Sequence, residues 1–312
     1  MWTAEAPANI ALIKYMGKDS EGLPCNSSLS YTIDRFRTKV ILELSAEDEF
    51  ENEQGFPQVG VDKFLNHLRY IEGIFGCKKH FLIKSENNFP HSSGVASSAS
   101  SFAALTLCSI KAICEIQAIS MPSLEEMSAI SRKGSGSSCR SFFAPWALWK
   151  GESAKAIDLP DLDHDLILVD SSVKKISSSE AHKRVKTSPL FAGRPQRAEI
   201  RLETLILFLR QDCWYETYQL CKEEFLDMHA LFETSSPSFS YMTENTIALL
   251  NAIEEFWNRY QDGPIVTIDA GPNIHLLWRK NYQQDFRNNF RLSFLDFLKN
   301  GCNISDNTLT IL

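Results

Sequence analysis

The stretch NNFPHSSGVASSASS, residues 87–101, joins a predicted strand to a predicted buried helix. The strand is HFLIKSEN (80–87), and the helix is SSASSFAALTLCSIKAICEI (97–116). A helix N-terminus presents unpaired N–H groups and a partial positive charge, and small side chains let an anion approach the backbone. The stretch contains no lysine and matches neither a Walker A loop nor a Rossmann glycine loop. It is therefore either a serine-rich turn before a core helix or an anion site whose positive charges come from elsewhere in the chain.

The composition of the whole chain excludes several classes of protein. It has 312 residues, of which 44% are hydrophobic, and a formal net charge of −7. This is enough apolar material for one large or two modest cores. The acidic balance argues against a nucleic-acid or membrane-surface binder, and no uninterrupted apolar run of about 18 residues occurs. We therefore expect no nucleic-acid partner and no membrane partner.

The cysteines and the N-terminus favour a cytoplasmic protein. The eight cysteines are scattered, without a CxxC pair or a Cys/His spacing that would bind zinc. Reduced thiols are typical of the cytoplasm, and the first residues lack the pattern of a signal peptide. The sequence predicts a cytoplasmic location and no metal-binding residues.

Hydrophobic periodicity predicts an α+β protein with two halves. Alternation and turn residues predict strands at 39–45, 80–87, 163–172 and 263–271. Helical spacing predicts helices at 61–76, 97–116, 123–133, 196–212 and 245–260. The polar stretch SSEAHKRVKTSP suggests a domain boundary near residues 180–190.

Three further segments carry side chains that suit an anionic substrate. RKGSGSSCRSFF (132–143) places Arg140 after small residues, and the planar fork of arginine suits a carboxylate or phosphate. APANIALIKYMGKD (6–19) surrounds Lys14 with apolar residues, which indicates an ammonium that needs an anionic partner. TIDAGPN places Asp269 before a tight turn. Taken singly, these segments also fit a flexible linker, a solvated lysine pair and a turn-forming aspartate.

Together the segments resemble one protein family. APANIALIKYMGK, NNFPHSSGVASSAS, RKGSGSSCRS and TIDAGPN resemble signature stretches of the diphosphomevalonate decarboxylase family, within the galactokinase/homoserine kinase/mevalonate kinase/phosphomevalonate kinase (GHMP) superfamily. LPCNSSLSYTI (23–33) and KKISSSEAHKRVKTSPLF (174–191) match in the same order.

The resemblance implies a GHMP-kinase-like two-domain α+β fold. The N-terminal domain, at 1–183, would resemble ribosomal protein S5 domain 2 and carry the ATP phosphate loop. The C-terminal domain, at 184–312, would be ferredoxin-like and contribute the catalytic aspartate. Members of the family are commonly homodimers, so the resemblance also implies a homodimer.

The family reaction is the ATP-dependent decarboxylation of mevalonate 5-diphosphate to isopentenyl diphosphate, with Mg²⁺ accompanying ATP. The resemblance makes Asp269 the general base, Lys14 the ammonium that keeps it ionised, and Arg140 the partner of the substrate carboxylate. The further substrate contacts that it implies are Asn9, Tyr15, Lys18, Ser135, Ser137, Ser177, Ser178 and, by a looser alignment, Lys63. The nucleotide contacts that it implies are Gly94, Ala96, Ser97 and Ser98.

The chain departs from the family pattern at three places. Met16 stands where the family usually has tryptophan, HSSG replaces the commoner TAAG, and SFFAPW replaces a Gly-Gly turn after Arg140. The second change places His91 near the nucleotide, where a structural role is favoured. Two alternatives remain open: a relative that acts on mevalonate or its 5-monophosphate, and a catalytically silent binding protein.

Overall fold

The computed structural model describes residues 1–20, 22–51, 58–89, 97–170, 175–280, 284–301 and 310–311. The chain divides into two units of mixed helix and strand, which confirms the α+β class. The first unit contains Met1–Asn9, Ser30–His91 and Val95–Ile157. The second contains Ile10–Leu29, Ser92–Gly94 and Asp158–Leu312. These units differ from the sequence-predicted domains 1–183 and 184–312, which stay a prediction.

The first sheet has six strands. In chain order they are β1 (Trp2–Ile13), β2 (Ser28–Ser45), β3 (Glu49–Phe50), β4 (His80–Asn87), β5 (Trp146–Lys150) and β6 (Ser153–Ala156). Their order in the sheet is β3-β4-β2-β5-β6, and β1 pairs with β2 off this path. The β2–β4 pair is antiparallel, with Thr38 opposite Asn87 and Ser45 opposite His80.

The helices of the first unit pack with strand residues in its core. They are α1 (Gln58–Phe75), α2 (Ser97–Gln117), α3 (Leu124–Gly134) and a 3₁₀ helix (Gly136–Phe142). By length and composition, Ser98–Gln117 could cross a membrane, but 78% of its most apolar part is buried inside the protein, as in a core helix. A capping box of Ser123 and Glu126 begins α3, because each side chain accepts a backbone N–H of the other residue. The helices predicted at 97–116 and 123–133 are confirmed.

The second unit combines a four-stranded sheet with five α-helices among the described residues. The strands are β7 (Leu162–Leu168), β8 (Ile265–Ile268), β9 (Ile274–Arg279) and β10 (Thr310–Ile311), antiparallel in the order β10-β7-β9-β8. The helices are α4 (Ser178–Arg184), α5 (Arg194–Arg210), α6 (Trp214–Glu233), α7 (Glu244–Tyr260) and α8 (Gln284–Gly301).

The differences from the sequence prediction have a physical reason. The first six residues of β2 and the last six of β1 are all buried. A strand that is buried along its length has no polar alternation, so periodicity does not reveal it. The polar stretch near 180–190 forms α4 and a short 3₁₀ helix (Val185–Thr187).

Candidate active site

An ion pair between Lys14 and Asp269 lies in the second unit, directly after β1 and β8. The Lys14 Nζ atom is 2.7 Å from Asp269 Oδ1. The lysine side chain is 2% exposed, whereas that of the aspartate is 25% exposed. A buried ammonium needs an anionic partner, and the ammonium in turn favours the ionised carboxylate. Asp269 is therefore a carboxylate that reaches solvent while its counter-ion is buried.

Backbone contacts fix the ends of both strands that carry this pair. Thr267 Oγ1 donates to the carbonyl oxygen of Ala11 at 3.1 Å, which joins β8 to β1. The Gly271 N–H donates to the Asp269 carbonyl at 2.8 Å and closes the turn of TIDAGPN. These contacts hold the backbone at Asp269 next to the end of β8.

The segment after Lys14 is an irregular turn held by His182. The Gly17 N–H donates to His182 Nδ1 at 3.0 Å, and the Tyr15 ring lies 4.4 Å from the imidazole centroid. Burial, with a smaller effect from Lys18, lowers the pKa of His182 to about 3, so the imidazole is neutral and Nδ1 can accept. Gly17 has a φ of +96°, and a Cβ there would lie 2.6 Å from the Phe191 ring. The turn therefore requires glycine, and its amide is fixed by a neutral histidine.

Arg140 and Asn9 form a second polar cluster, within the first unit. Arg140 Nε donates to Asn9 Oδ1 at 3.0 Å, and Asn9 Nδ2 donates to Ser141 Oγ at 2.8 Å. The two residues are 3% and 1% exposed. The Arg140 guanidinium carbon lies 5.8 Å from the Trp149 ring centroid, within cation–π range. These contacts hold a planar guanidinium, the group that pairs with carboxylates through parallel N–H donors.

The serine-rich segment around Arg140 is ordered structure and not a linker. It forms the end of α3 and the 3₁₀ helix that follows. Ser138 Oγ donates to the carbonyl oxygens of Ser131 at 2.9 Å and Ser135 at 2.6 Å. Asn9 Nδ2 also lies 3.3 Å from the carbonyl oxygen of Ser137, so the segment is tied to the Arg140 cluster.

A close approach at Gly134 makes this segment sensitive to one methyl group. A Cβ there would lie 2.4 Å from the Phe102 ring and 2.7 Å from His67 Nδ1. We expect Gly134→Ala to lower the free energy of unfolding by about 1–3 kcal/mol, through overpacking.

Gly73 on α1 is the matched control, since a methyl group added there would meet no atom within 4 Å. Gly73→Ala should raise the free energy of unfolding by about 0.4–1 kcal/mol, because alanine restricts the unfolded chain. Urea unfolding of both variants measures the contrast, and equal midpoints would show that the α3 end can shift to accept a methyl group.

The remaining predicted residues are placed as follows. Ser177 accepts the Glu180 N–H at 3.2 Å and caps α4, and Ser178 is exposed in the first turn of that helix. Lys63 is exposed on α1, and Ser98 is exposed in the first turn of α2. Gly94, Ala96 and His91 lie outside the described residues, as does the Ser97 side chain. The contacts predicted for these residues stay predictions.

Three polar residues around the pair were not singled out from the sequence. They are His182, Glu224 and His229. All three are buried or nearly buried, and each contacts a residue that is distant in the sequence. On α6, Glu224 lies at helical spacing from the buried Cys221 and Met228. A charged residue on the core face of an amphipathic helix was the signal that could have drawn attention to it.

Comparison with solved structures defines the class of protein. The structure of a mevalonate diphosphate decarboxylase from Legionella pneumophila is 47% identical to this chain, with a TM-score of 0.90, covering 100% of this chain and 99% of that one. A second solved structure, of MDDEF in complex with MVAPP, AMPPCP and magnesium, is 29% identical to this chain, with a TM-score of 0.81. The match covers 99% of this chain and 95% of that chain. The fold and the ion pair therefore define a GHMP-kinase-like enzyme.

Sequence comparison identifies the family within that class. Residues 6–158 match the family described as the diphosphomevalonate decarboxylase-like N-terminal domain, and residues 166–307 match the mevalonate 5-diphosphate decarboxylase C-terminal domain. The diphosphomevalonate decarboxylase of Candida albicans is 32% identical over 306 residues, covering 86% of this chain and 81% of that protein. The chain belongs to the diphosphomevalonate decarboxylase family.

Proposed function

We propose that this protein catalyses the ATP-dependent decarboxylation of mevalonate 5-diphosphate to isopentenyl diphosphate, a step of the mevalonate pathway in isoprenoid biosynthesis. The observation that carries the proposal is the partly exposed Asp269 carboxylate paired with the buried Lys14 ammonium. Membership of the family supports it. A relative bound to MVAPP, AMPPCP and magnesium supports ATP and Mg²⁺ as the second substrate and its ion.

Asp269 acts in the first step, the phosphorylation of the C3 hydroxyl. The carboxylate accepts the hydroxyl proton, the hydroxyl oxygen attacks the γ-phosphorus of ATP, and ADP leaves. Carboxylates are weak bases at their reference pKa, so the orientation of Asp269 matters more than its basicity. Lys14 supports this step by keeping the carboxylate ionised.

Arg140 acts in the second step, the loss of phosphate and carbon dioxide. The C3–O bond breaks with its electrons leaving on phosphate, and the electrons of the C–CO₂ bond form the new double bond. The transferred phosphate supplies the electron sink, so the protein has to hold the carboxylate in line with the leaving group. The Arg140 guanidinium, oriented by Asn9, is the group that we assign to this carboxylate.

We assign the remaining predicted residues to the binding of the anionic ends of the two substrates. For the diphosphate we assign Tyr15, Lys18, Ser135, Ser137, Ser177 and Ser178, with Lys63 as a looser assignment. For the ATP phosphates we assign Gly94, Ala96, Ser97 and Ser98, of which the two serines begin α2, a helix of 21 residues. Its N-terminal N–H groups and dipole suit phosphate oxygens, and Mg²⁺ bound to ATP neutralises charge during transfer.

Substrate comparison tests the proposal. Purified protein is incubated with Mg-ATP and separately with mevalonate, its 5-phosphate and its 5-diphosphate, while ADP and CO₂ are measured. We expect ADP and CO₂ in equal amounts from the 5-diphosphate. ADP without CO₂ from every substrate would indicate a 3-kinase, and CO₂ chiefly from the 5-phosphate would indicate a monophosphate decarboxylase. Either result contradicts the proposed substrate or reaction.

We further propose a cytoplasmic homodimer. The family resemblance supports the dimer, and the scattered cysteines, of which the seven described ones are free, support a reducing compartment. Light scattering of the full chain gives the oligomeric state, and a monomer mass at micromolar concentration contradicts the dimer.

A further inference from the structure

Helix α6 contacts the backbone of both members of the Lys14–Asp269 pair. Glu224 Oε1 accepts the Lys14 N–H at 2.9 Å. His229 Nε2 lies 3.2 Å from the Asp269 carbonyl oxygen. Lys14 and Asp269 are 255 residues apart in sequence, yet one helix contacts both. It contacts their main-chain atoms, which do not depend on the side chains at 14 and 269, except that proline lacks the N–H.

Glu224 is anchored by a buried cluster of charges that fixes its own position. Arg194 Nη1 donates to Glu224 Oε2 at 2.8 Å, and Arg201 Nη1 donates to the same oxygen at 3.1 Å. The side chains of Arg194 and Glu224 are both 0% exposed. Arg194 Nη2 also donates to the Lys14 carbonyl at 3.3 Å, so the arginine and the glutamate hold both polar groups of the Lys14 backbone.

The same cluster is completed by Asp227, one turn further along α6. Burial alone would raise the pKa of Asp227, but hydrogen bonds from Arg197 and Arg201 and the charge of Arg194 lower it to about 2. The carboxylates of Glu224 and Asp227 are therefore held by paired guanidinium groups, which fix the position of this part of α6.

His229 is a neutral donor to the other member of the pair. The Asp269 carbonyl can only accept, so the proton of the imidazole is on Nε2. Burial lowers the pKa of His229 to about 4, an effect to which the Lys14 charge adds and which the Asp269 contact opposes. Its Nδ1 is buried without a hydrogen-bond partner in the part of the chain that the structure describes. The ring is therefore oriented by its hydrogen bond to Asp269 and by edge-to-face packing against Phe225 and Phe232.

We propose that Glu224 and His229 are positioning residues of the reaction, which set the Lys14–Asp269 geometry through the two backbones. The proposal rests on the proposed function for its catalytic consequence, but its geometric content is independent of the substrate. Loss of either contact lets one strand end shift, which lengthens the ion pair and misplaces the carboxylate. Misplacement by about 1 Å can cost about 10²-fold in rate.

Two substitutions at His229 distinguish a role in positioning Asp269 from a role in core packing. His229→Leu fills similar space without a donor, whereas His229→Gln can place an N–H near the position of Nε2. We expect His229→Leu to lower kcat about 10-fold or more, with the KM for ATP unchanged within about 2-fold, and His229→Gln to retain kcat within about 3-fold. The acidic limb of the kcat profile should move to higher pH in His229→Leu only, because a carboxylate held less closely to its ammonium is protonated at higher pH.

A second pair tests Glu224 with a control on the same helix. Glu224→Gln removes the anchoring charge, and Glu223→Gln makes the same change on the exposed face of α6. Crystal structures of Glu224→Gln and His229→Leu give the Lys14 Nζ to Asp269 Oδ1 distance, a readout that does not depend on turnover. We expect it to exceed 2.7 Å in both variants and to be unchanged in Glu223→Gln.

Two results would overturn the inference: an unchanged ion-pair distance in both buried variants, or equal kcat values and equal acidic limbs for His229→Leu and His229→Gln. A protein that fails to release CO₂ from any substrate, but whose ion pair lengthens in the variants, would leave the positioning role standing and remove the proposed reaction.

Discussion

Replacing Asp269 by asparagine should lower kcat by about 10³-fold or more while leaving the Kd for ATP within about 2-fold of wild type. Asparagine has nearly the same shape, so substrate binding survives, but an amide accepts no proton from the C3 hydroxyl. The substitution also leaves the Lys14 ammonium, whose side chain is 2% exposed, beside a neutral group. A buried cation without its anion lowers the free energy of unfolding, so activity is measured well below the unfolding temperature.

Asp262 provides the control for this variant. It pairs with Arg279 at 2.7 Å, and its side chain is 27% exposed, close to the 25% of Asp269. Asp262→Asn therefore removes an aspartate of similar exposure that is also paired with a cation at 2.7 Å. We expect turnover within about 2-fold of wild type, since partly exposed pairs contribute little. Steady-state ADP release measures both variants. Retention of more than a few per cent of wild-type turnover in Asp269→Asn would show that another group takes the proton.

The sequence predicted those parts of the fold in which one face of an element meets solvent. The strand at 80–87 and the helices at 123–133 and 245–260 show the expected periodicity, and the structure contains them with nearly the same bounds. The helix at 97–116 was also predicted, although most of it is buried. Strand segments buried on both faces gave no such signal, as in the last six residues of β1 and the first six of β2. Strand order and the pairing of distant segments depend on contacts across the chain, which no local pattern encodes.

The sequence predicted the reactive groups of the site but not the residues that position them. Asp269, Lys14 and Arg140 were predicted from motifs that resemble one family, and the structure pairs the first two at 2.7 Å. Glu224 and His229 lie in a helix whose core face carries buried polar residues, so its apolar stripe is interrupted. Their partners are 210 and 40 residues away. The position of Glu224 on the core face of a helix indicates a buried role, but the partners of both residues are found only in the folded chain.

Arg140 should be needed for release of carbon dioxide more than for folding. We expect Arg140→Met to lower kcat/KM for CO₂ release by about 10²–10³-fold, because truncating one partner of a desolvated charge pair costs about 2–5 kcal/mol. The substrate carboxylate would lose its paired cation, while the unbranched methionine side chain fills much of the space beside Trp149. Asp269, the general base of the phosphorylation step, is untouched, so ADP formation should fall less than CO₂ release.

A variant at Arg132 is the control for the loss of stability that follows from removing any buried arginine. Its side chain is 2% exposed and paired with Glu152, and it belongs to the same unit as Arg140. Arg132→Met should lower the thermal unfolding temperature as much as Arg140→Met or more, since the Glu152 carbonyl loses the Arg132 Nε donor at 3.0 Å, yet retain CO₂ release within about 3-fold. Parallel measurement of ADP and CO₂ in the two variants shows whether the loss of CO₂ release is specific to Arg140. If both lose CO₂ release equally, or if Arg140→Met keeps wild-type kinetics, the carboxylate must be held by another cation, and Arg140 is then a structural residue that orients Asn9.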